Sequence, residues 1–280
     1  MTYRCVIFVA SEVAGDTKAK GQAQALRQRH GWPLVRNMPN RAEADVCLIR
    51  NLRGWSALWL AASNWKPLYF DYTHPGFLRR LAHAGSRSET LIKALGRRRP
   101  GTVLDCTAGA GEDSLILAAC GARVHMVERD PILATLLFDA LARGRDAQLP
   151  ELSAVLERVT FSCADAGDLI TQLRVTPEQS QAEIGSFEVV YCDPMFPARD
   201  KSALVSKTMQ FFHCLVGVPE EGSDDAEALV RSALAVATRR VVVKRPAKAR
   251  HVFESPAPHQ HVQNKAVRFD IYLTGSTSAC

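Results

Sequence analysis

Strand-like and helical segments alternate regularly from residue 102 onward, and this alternation constrains the fold more than any other feature of the sequence. Parallel strands need crossover connections, so the pattern predicts an α/β fold with a mainly parallel, doubly wound sheet. Ligands bind such sheets outside the carboxyl ends of the strands. The predicted strands are residues 103–105, 123–128, 159–163, 187–192, 240–244 and 268–273. The predicted helices are residues 112–119, 131–143, 168–173, 202–216 and 226–238.

The first 72 residues are organised differently. A strand is predicted at residues 4–10, and a helix at residues 17–29 has Asp16 as a plausible N-cap. Three short extended or apolar segments follow, at residues 46–49, 55–61 and 67–72. The sequence therefore predicts a small N-terminal α/β lobe over residues 1–72 and a larger domain over residues 73–280.

A basic stretch at residues 74–99 joins these two parts. It contains a short predicted helix at residues 90–95, for which Ser86 or Ser88 is the expected cap. The basic stretch is either a linker or a segment that closes over a ligand, and Arg87 in its glycine-serine setting is a candidate contact.

Residues 247–264, near the end of the chain, are predicted to form a loop.

Composition narrows the class of protein. The chain has 280 residues, 47% of them hydrophobic and 23% charged, which is enough to bury a core. No run of eighteen apolar residues is present, so we expect no membrane span and a cytoplasmic location. The cysteines form no C-x-x-C pair and the histidines no H-x-x-x-H pair, so we expect neither disulfides nor a metal site.

Four successive predicted strands of the larger domain each end in an acidic residue. Because parallel strands bring their carboxyl ends to one edge of the sheet, these side chains are expected to line one crevice. Each acid alone is typical of a solvated strand end, and it is the recurrence that predicts a ligand site. The four are Asp105, Glu128, Asp165 and Asp193.

A glycine turn accompanies the first of these acids. Asp105 is followed by Gly109 and Gly111, which let the backbone approach a ligand closely. Ser114 stands where a dinucleotide fingerprint has its third glycine, so a pyrophosphate cofactor is disfavoured.

Glu128 is placed to accept both ribose hydroxyls of an adenosine. Asp165 is placed to accept a hydrogen bond from the adenine amine, with Ala164 beside the base. Asp168 is a candidate N-cap of the helix that follows.

An acidic crevice suits a cationic, adenosine-containing cofactor. S-adenosyl-L-methionine carries a sulfonium and an ammonium group, whereas the phosphates of a dinucleotide would be repelled. The reaction site is then expected at residues 193–197, Asp-Pro-Met-Phe-Pro. Asp193, the Pro194 carbonyl and the Phe196 ring form a combination that can grip a flat group bearing an exocyclic amine.

The Asp-Pro-Met-Phe-Pro stretch resembles the [Asp/Asn]-Pro-Pro-[Tyr/Phe] motif of methyltransferases that act on the amines of bases. Over residues 70–274 the chain more closely resembles the RsmJ type of 16S rRNA guanine-N2 methyltransferase. The segments that carry this resemblance are residues 105–113, 127–131, 193–197, 201–205, 241–246 and 268–272. The resemblance implies a Rossmann-like class I S-adenosylmethionine methyltransferase fold and methylation of guanosine 1516 in the small-subunit rRNA.

The family's cofactor contacts fall on identifiable positions of this chain. Two of these positions depart from the family, since Glu112 replaces the usual arginine and Ala164-Asp165 replaces a small hydroxylated pair. Only the backbone role transfers at the second. The implied contacts are Glu112, Asp113, Glu128, Arg129, Ala164, Asp165 and Asp193.

A net charge of +6 and a pI of about 9.0 fit a polyanionic partner, here 16S rRNA or the small ribosomal subunit. Basic residues expected near the mouth of the site are candidates for phosphate contacts. They are Arg87, Lys201, Lys207, Lys244 and Arg245.

Alternative functions stay open at this stage. One is methylation of another amine, such as DNA adenine or a protein glutamine. Another is a non-catalytic RNA-binding or ribosome-assembly factor that keeps the fold, against which the intact Asp193-Pro194 argues. An NAD-linked dehydrogenase is disfavoured by the missing third glycine.

Overall fold

The computed structural model describes residues 3–62, 65–85, 87–96, 101–175, 186–195, 207–217 and 225–274. Packing divides the chain into two compact units. We call residues 1–71, 132–143 and 198–218 the small unit. Residues 72–131, 144–197 and 219–280 are the large unit. The sequence-based division at residue 72 did not anticipate that residues 132–143 and 198–218 group with the small unit.

The small unit is built on a four-stranded sheet of order β2-β1-β3-β4. The central strand β1 pairs in parallel with β2 and β3, and β4 pairs antiparallel with β3. The predicted strands at residues 4–10 and 46–49 are confirmed, and the apolar run from Trp55 is a strand. The bounds are β1 Cys5–Val9, β2 Leu34–Val35, β3 Val46–Asn51 and β4 Gly54–Trp59.

Helix α1, Thr17–His30, begins as its cap predicts. The Asp16 side chain accepts a hydrogen bond of 2.8 Å from the Lys18 N–H, so it satisfies one of the free donors of the first turn. The helix ends at Gly31, whose φ of 70° is the left-handed conformation that glycine adopts without strain.

Asp139 ties residues 132–143 to the sheet of the small unit. Its Oδ2 accepts from the Trp55 N–H at 3.0 Å and from Arg143 Nε at 2.8 Å. Arg143 also donates to the Phe70 carbonyl at 2.6 Å. A buried carboxylate with two donors stabilises this helical segment on the small unit.

The large unit contains a seven-stranded sheet of order β10-β11-β9-β8-β5-β6-β7. The five strands from β9 to β7 in this order are parallel, and β11 is antiparallel to both of its neighbours. This confirms the predicted mainly parallel, doubly wound sheet. The bounds are β5 Thr102–Asp105, β6 Arg123–Glu128, β7 Val159–Cys163, β8 Val189–Cys192, β9 Arg240–Pro246, β10 Gln260–Gln263 and β11 Val267–Leu273.

Strand β5 lies where the chain reverses its direction across the sheet. The chain runs from β5 to β6 and β7 on one side, and later to β8 and β9 on the other. Connections leave this switch point in opposite directions, so a crevice opens at the carboxyl ends of β5 and β8. The acids that end these strands are therefore brought together by topology.

Helices flank the strands, and most were predicted. Their bounds are α2 Pro75–Ala82, α3 Thr90–Ala94, α4 Glu112–Ala119, α5 Pro131–Asp146, α6 Pro150–Leu156, α7 Ala166–Val175, α8 Lys207–Val216 and α9 Asp225–Leu234. The part of the predicted 202–216 helix before Lys207 lies outside the described residues. Helices α2 and α6 were not predicted; both begin at a proline in the first helical position.

Two local predictions were wrong. Ser88 does not cap α3: Glu89 is at the N-cap, and the Ser88 hydroxyl donates to the His83 carbonyl at 2.7 Å. Ser86, the other expected cap, lies outside the described residues. The predicted loop at residues 247–264 contains β10, whose polar sequence gives no strand signal because it pairs only along the outer side of β11.

One cluster of the large unit's core packs on one face of its central strands, and the opposite face is buried as well. Leu104, Val190 and Val241 are fully buried in this cluster, together with Ile170 of α7 and Val230 of α9. This packing holds the carboxyl ends of β5, β8 and β9 in a fixed register. Within the described ranges, no helix is long and apolar enough to cross a bilayer. In the same ranges, no group of three or more His, Cys, Asp or Glu side chains is placed to hold a metal ion.

A buried ionic cluster holds the antiparallel end of the large sheet. Arg268 and Asp270, two residues apart on β11, point to the same face and form a hydrogen bond of 2.7 Å between Nε and Oδ1. Asp270 is completely buried, and its Oδ2 lies 2.8 Å from His251 Nδ1. Arg268 also donates to the Ala247 carbonyl at 3.2 Å, which fixes the turn after β9.

We predict that Asp270→Ala lowers the free energy of unfolding by about 3–5 kcal/mol, because it leaves the buried Arg268 charge unpaired. Denaturant titration measures the change. Glu227→Ala is the matched control, since its exposed pair with Arg231 on α9 contributes about 0.5 kcal/mol. Equal effects of the two substitutions would contradict this account of the cluster.

Candidate active site

The four strand-end acids lie at one edge of the large sheet, as predicted. Asp105 and Glu128 are the last residues of β5 and β6, and Asp193 follows β8 directly. Asp165 stands between the end of β7 and the start of α7. These four strands are parallel, so the acids share one crevice. Their environments nevertheless differ, and so do the roles that each can take.

Asp105 is buried behind the glycine turn, with 1% of its surface exposed. Its two oxygens accept from the Ser114 hydroxyl at 2.6 Å and from the Thr107 N–H at 3.0 Å. Burial raises the pKa of Asp105 to about 7, although these two donors lower it. Asp105 therefore joins β5 to the turn and to α4, and its contact with the cofactor stays a prediction.

Glu128 is held by the turn itself. Its carboxylate accepts from the Gly109 N–H at 2.9 Å and from the Asp130 N–H at 2.8 Å. Gly109 and Gly111 have φ of 52° and 74°, so the turn needs residues that tolerate the left-handed region. Burial raises the pKa of Glu128, and the two backbone donors oppose that rise. Each carboxylate oxygen keeps a lone pair that can accept a ligand hydroxyl.

Asp165 is the N-cap of α7. Its Oδ1 accepts from the Gly167 N–H at 2.8 Å and from the Asp168 N–H at 3.3 Å, so the alternative of Asp168 as the cap is wrong. Its Oδ2 faces Arg129, with 3.9 Å between the charged atoms. Ala164 is fixed by its N–H, which donates to the Glu128 carbonyl at 3.1 Å.

Lys244, near the end of β9, joins two carboxylates. Its Nζ lies 2.8 Å from Asp113 Oδ2 and 2.9 Å from Asp193 Oδ2. The Tyr191 hydroxyl donates to the same Asp113 oxygen at 2.7 Å. The Asp193 N–H donates to Thr107 Oγ1 at 2.7 Å, which ties the end of β8 to the turn after β5. We call Asp113, Tyr191, Asp193 and Lys244 the lysine cluster.

The cluster determines which groups are charged. Burial lowers the pKa of Lys244, but the two carboxylates outweigh burial and raise it, so the ammonium is retained. Burial raises the pKa of Asp113, yet Lys244 and the Tyr191 hydroxyl bring it below its usual value. For Asp193, burial prevails and the pKa is raised, with Lys244 acting against the rise.

Glu112 lies beside the site and pairs with Arg80 of α2. Arg80 Nη1 is 3.1 Å from Glu112 Oε2, and Arg80 Nε is 2.8 Å from Glu89 Oε1. The side chain of Glu112 is 56% exposed, so this contact is a surface one. Arg80 thus links α2 and α3 to the start of α4.

The remaining predicted residues are distributed unevenly. Pro194 is buried next to Asp193, whereas Phe196 and Lys201 lie outside the described residues. Arg87 is exposed, and Arg245 donates through Nε to the Arg250 carbonyl at 3.0 Å. Of Lys207, only the backbone at the start of α8 is described.

Sequence reasoning missed the cluster that surrounds Asp193. Lys244 was assigned to rRNA phosphates, whereas the structure places its ammonium between two carboxylates. The signal was present, since a lysine directly after three buried valines of a central strand needs a counter-charge. Tyr191 and Thr107 gave no comparable signal, because a strand tyrosine and a turn threonine are ordinary structural residues.

Comparisons with known proteins agree with this geometry. Residues 32–274 match the family described as "Putative SAM-dependent methyltransferase". Ribosomal RNA small subunit methyltransferase J of Thioalkalivibrio sulfidiphilus is 39% identical over 258 residues, covering 91% of this chain and 93% of the relative. The protein of the same name from Tolumonas auensis is 40% identical over 264 residues, with 93% and 96% covered. The chain belongs to the ribosomal RNA small subunit methyltransferase J family.

A solved structure supports the fold assignment. The crystal structure of a SAM-dependent methyltransferase from Neisseria gonorrhoeae superposes with a TM-score of 0.69 at 25% identity, covering 98% of this chain and 97% of that one. This member of the methyltransferase J family therefore has the Rossmann-like class I methyltransferase fold. S-adenosyl-L-methionine is its cofactor.

The polar groups in the crevice of this methyltransferase J family member fit the cofactor. Acceptors predominate at the strand ends, which suits ribose hydroxyls, an adenine amine and a cationic sulfonium. The glycine turn brings backbone close to the same edge without side chains.

The raised pKa of Asp105 makes the free energy of unfolding depend on pH. Its pKa is about 7 in the folded protein and 3.8 for an unperturbed side chain, so the folded state binds more protons between these values. Its contribution to stability is present at low pH and is lost as pH rises through 7. We expect the loss to be on the order of 4 kcal/mol between pH 4 and 7.

Denaturant titration across this pH range tests that prediction. Asp105→Asn stays neutral, so the stability of the wild type relative to this variant should fall as pH rises. Asp146→Asn, at the exposed end of α5, is the control and should follow the wild type. A constant difference between wild type and Asp105→Asn would contradict the buried, proton-binding role of Asp105.

Proposed function

We propose that this protein transfers a methyl group from S-adenosyl-L-methionine to the exocyclic N2 of a guanosine in small-subunit rRNA, guanosine 1516. The observation that carries the proposal is the placement of Asp193. Its carboxylate stands at the carboxyl end of β8, directly before Pro194, and is held by Lys244 at 2.9 Å. The names of the curated relatives, ribosomal RNA small subunit methyltransferase J, support an rRNA substrate.

On the cofactor side, the residues of the crevice bind and orient. Glu128 is placed to accept the ribose hydroxyls, and Asp165 to accept from the adenine amine beside Ala164. Arg129 and Glu112 flank these positions, and Asp113 adds negative charge near Asp193. When bound, the cofactor would supply an electrophilic methyl group on a sulfonium, and its sulfur would leave as a neutral thioether when the S–CH3 bond breaks.

On the substrate side, two acceptors align the amine. The N2 lone pair of guanine is delocalised into the ring, so the amine is a weak nucleophile. Hydrogen bonds from N2 to the Asp193 carboxylate and the Pro194 carbonyl favour a more tetrahedral nitrogen, with its lone pair directed at the methyl group. Alignment and electrostatics supply most of the catalysis in this scheme.

Asp193 acts as an acceptor more than as a strong base. The nitrogen becomes cationic as the methyl group arrives, and only then is its proton readily lost, through Asp193 to water. Lys244 occupies one carboxylate oxygen, Oδ2, so the other is the one proposed to meet the amine. Stacking of the guanine on Phe196, after it leaves its own stack, completes the arrangement.

The charge of the protein supports RNA as the substrate. A net charge of +6 favours a polyanion, and Arg87 and Arg245 are proposed to contact phosphates. Lys201 is proposed for the same role from its place in the sequence. Action on the small ribosomal subunit implies a cytoplasmic location.

The test is to map N2-methylguanine in small-subunit rRNA from cells with and without this protein. We expect one modified guanosine to disappear in the deletion strain and to return with the wild-type gene. Asp193→Asn should fail to restore it, and its single-turnover rate in vitro should fall by about 10²-fold or more. Asp146→Asn, an exposed acid, should restore it fully.

The RNA affinity of Asp193→Asn should stay within a few-fold of wild type, since most of that affinity comes from phosphate contacts. Methylation of adenine or of protein in place of guanine would contradict the proposal. So would equal methylation by wild type and Asp193→Asn.

A further inference from the structure

The small unit contains a cavity of about 670 Å³ that the reaction described above does not use. Small-ligand sites commonly measure about 300–1,000 Å³, so its size suits a nucleotide. Every described residue that lines it belongs to the small unit. The side chains on which the inference depends are Arg53, Ser56, Trp65, Lys66, Tyr69 and Phe211.

Aromatic rings form one side of the cavity. Trp65 is half-buried and lies 6.0 Å from Phe211, between ring centroids, at an interplanar angle of 35°. Phe211 is 2% exposed and also contacts Trp59 edge-on at 6.3 Å. Trp65 is therefore supported from behind, while part of its ring stays accessible. A supported, accessible indole is a surface on which a base can stack.

Cationic side chains form another side. The Arg53 guanidinium lies 4.5 Å from the centre of the Tyr69 ring, and the Tyr69 hydroxyl donates to the Arg53 carbonyl at 2.6 Å. Lys66, next to Trp65, is exposed. Among the described residues that line the cavity, none is acidic, and Asn51 and Ser56 add neutral polar groups. The lining thus favours an anion beside an aromatic ring.

We propose that this cavity binds one nucleotide of single-stranded RNA, with its base on Trp65 and its phosphate against Arg53 and Lys66. The inference rests on the proposed function, because it identifies the small unit as a holder of the rRNA substrate. The two cationic side chains argue against a small apolar ligand, which would not contact them. The aromatic rings argue for a ligand that carries a base.

Direct binding tests the proposal independently of methylation. A fluorescein-labelled single-stranded oligonucleotide with the rRNA sequence around the target is titrated with wild type and variants, and anisotropy is followed. Trp65→Ala should weaken binding by about 10-fold, as expected when one base loses its stacking partner. Trp65→Phe should recover most of the affinity, since it retains a ring.

Salt dependence gives a readout that a structural role would not change. The double variant Arg53→Ala/Lys66→Ala should reduce the slope of log K against log salt by about 0.7, the value for one phosphate contact on a single strand, and each single variant should reduce it in part. Trp32→Ala and Arg36→Ala, on residues of the small unit that do not line the cavity, are the matched controls and should bind as wild type.

Kinetics place the effect on substrate binding. With rRNA as the substrate, Trp65→Ala and Lys66→Ala should raise KM for RNA by about 10-fold and leave kcat and cofactor affinity unchanged. Thermal melting within a few degrees of wild type shows that each variant is folded. The free mononucleotide GMP, used as a competitor, should bind far more weakly than the oligonucleotide if the site reads a strand.

The outcomes separate this inference from the proposed function. The inference is overturned if folded Trp65→Ala and Lys66→Ala bind the oligonucleotide with the affinity and salt slope of wild type. This holds even if rRNA is methylated at guanine N2. Loss of oligonucleotide binding in these variants supports the inference, even if no methylated guanine is found. Tight binding of GMP alone would also overturn it, because the cavity would then be a small-molecule site.

Discussion

The ion pairs of Lys244 with Asp113 and Asp193 are the interaction on which the site depends. A lysine at the end of a central β-strand is costly to bury, and its two carboxylate partners at 2.8 and 2.9 Å make that burial possible. In turn, the ammonium allows Asp113 to remain charged and opposes the rise in the pKa of Asp193. Three elements, α4, β8 and β9, are held at one point by this single charge.

The cluster exists because of the strand order. Strand β5 lies between β8 and β6, so the glycine turn that follows Asp105 stands next to the end of β8. Thr107 makes the connection, since its N–H donates to Asp105 and its hydroxyl accepts from the Asp193 N–H. Glu128, proposed to hold the cofactor, and Asp193, proposed to align the substrate, are therefore positioned by one turn. A shift of this turn would disturb both sides of the reaction.

Much of this arrangement could be predicted from the sequence, and the failures have physical causes. The alternation of elements and the acids at strand ends are local patterns, so Glu128 and Asp193 were found at the right edge. Which acids are buried depends on tertiary packing, so the sequence did not reveal that Asp105 holds the turn through Thr107 and Ser114. Lys244 was assigned to RNA because the sequence signals the need for a counter-charge but does not show which carboxylates supply it. Strand β10 was missed because its polar residues show no alternation.

The most direct test is the pH dependence of single-turnover methyl transfer in wild type, Lys244→Met and Lys244→Arg. Asp193 is proposed to act ionised, and burial alone would raise its pKa further once the ammonium is gone. The account predicts that Lys244→Met is slower and that its acidic limb moves to higher pH, while Lys244→Arg restores the limb of the wild type. An unchanged acidic limb in folded Lys244→Met would contradict the central role of the lysine cluster.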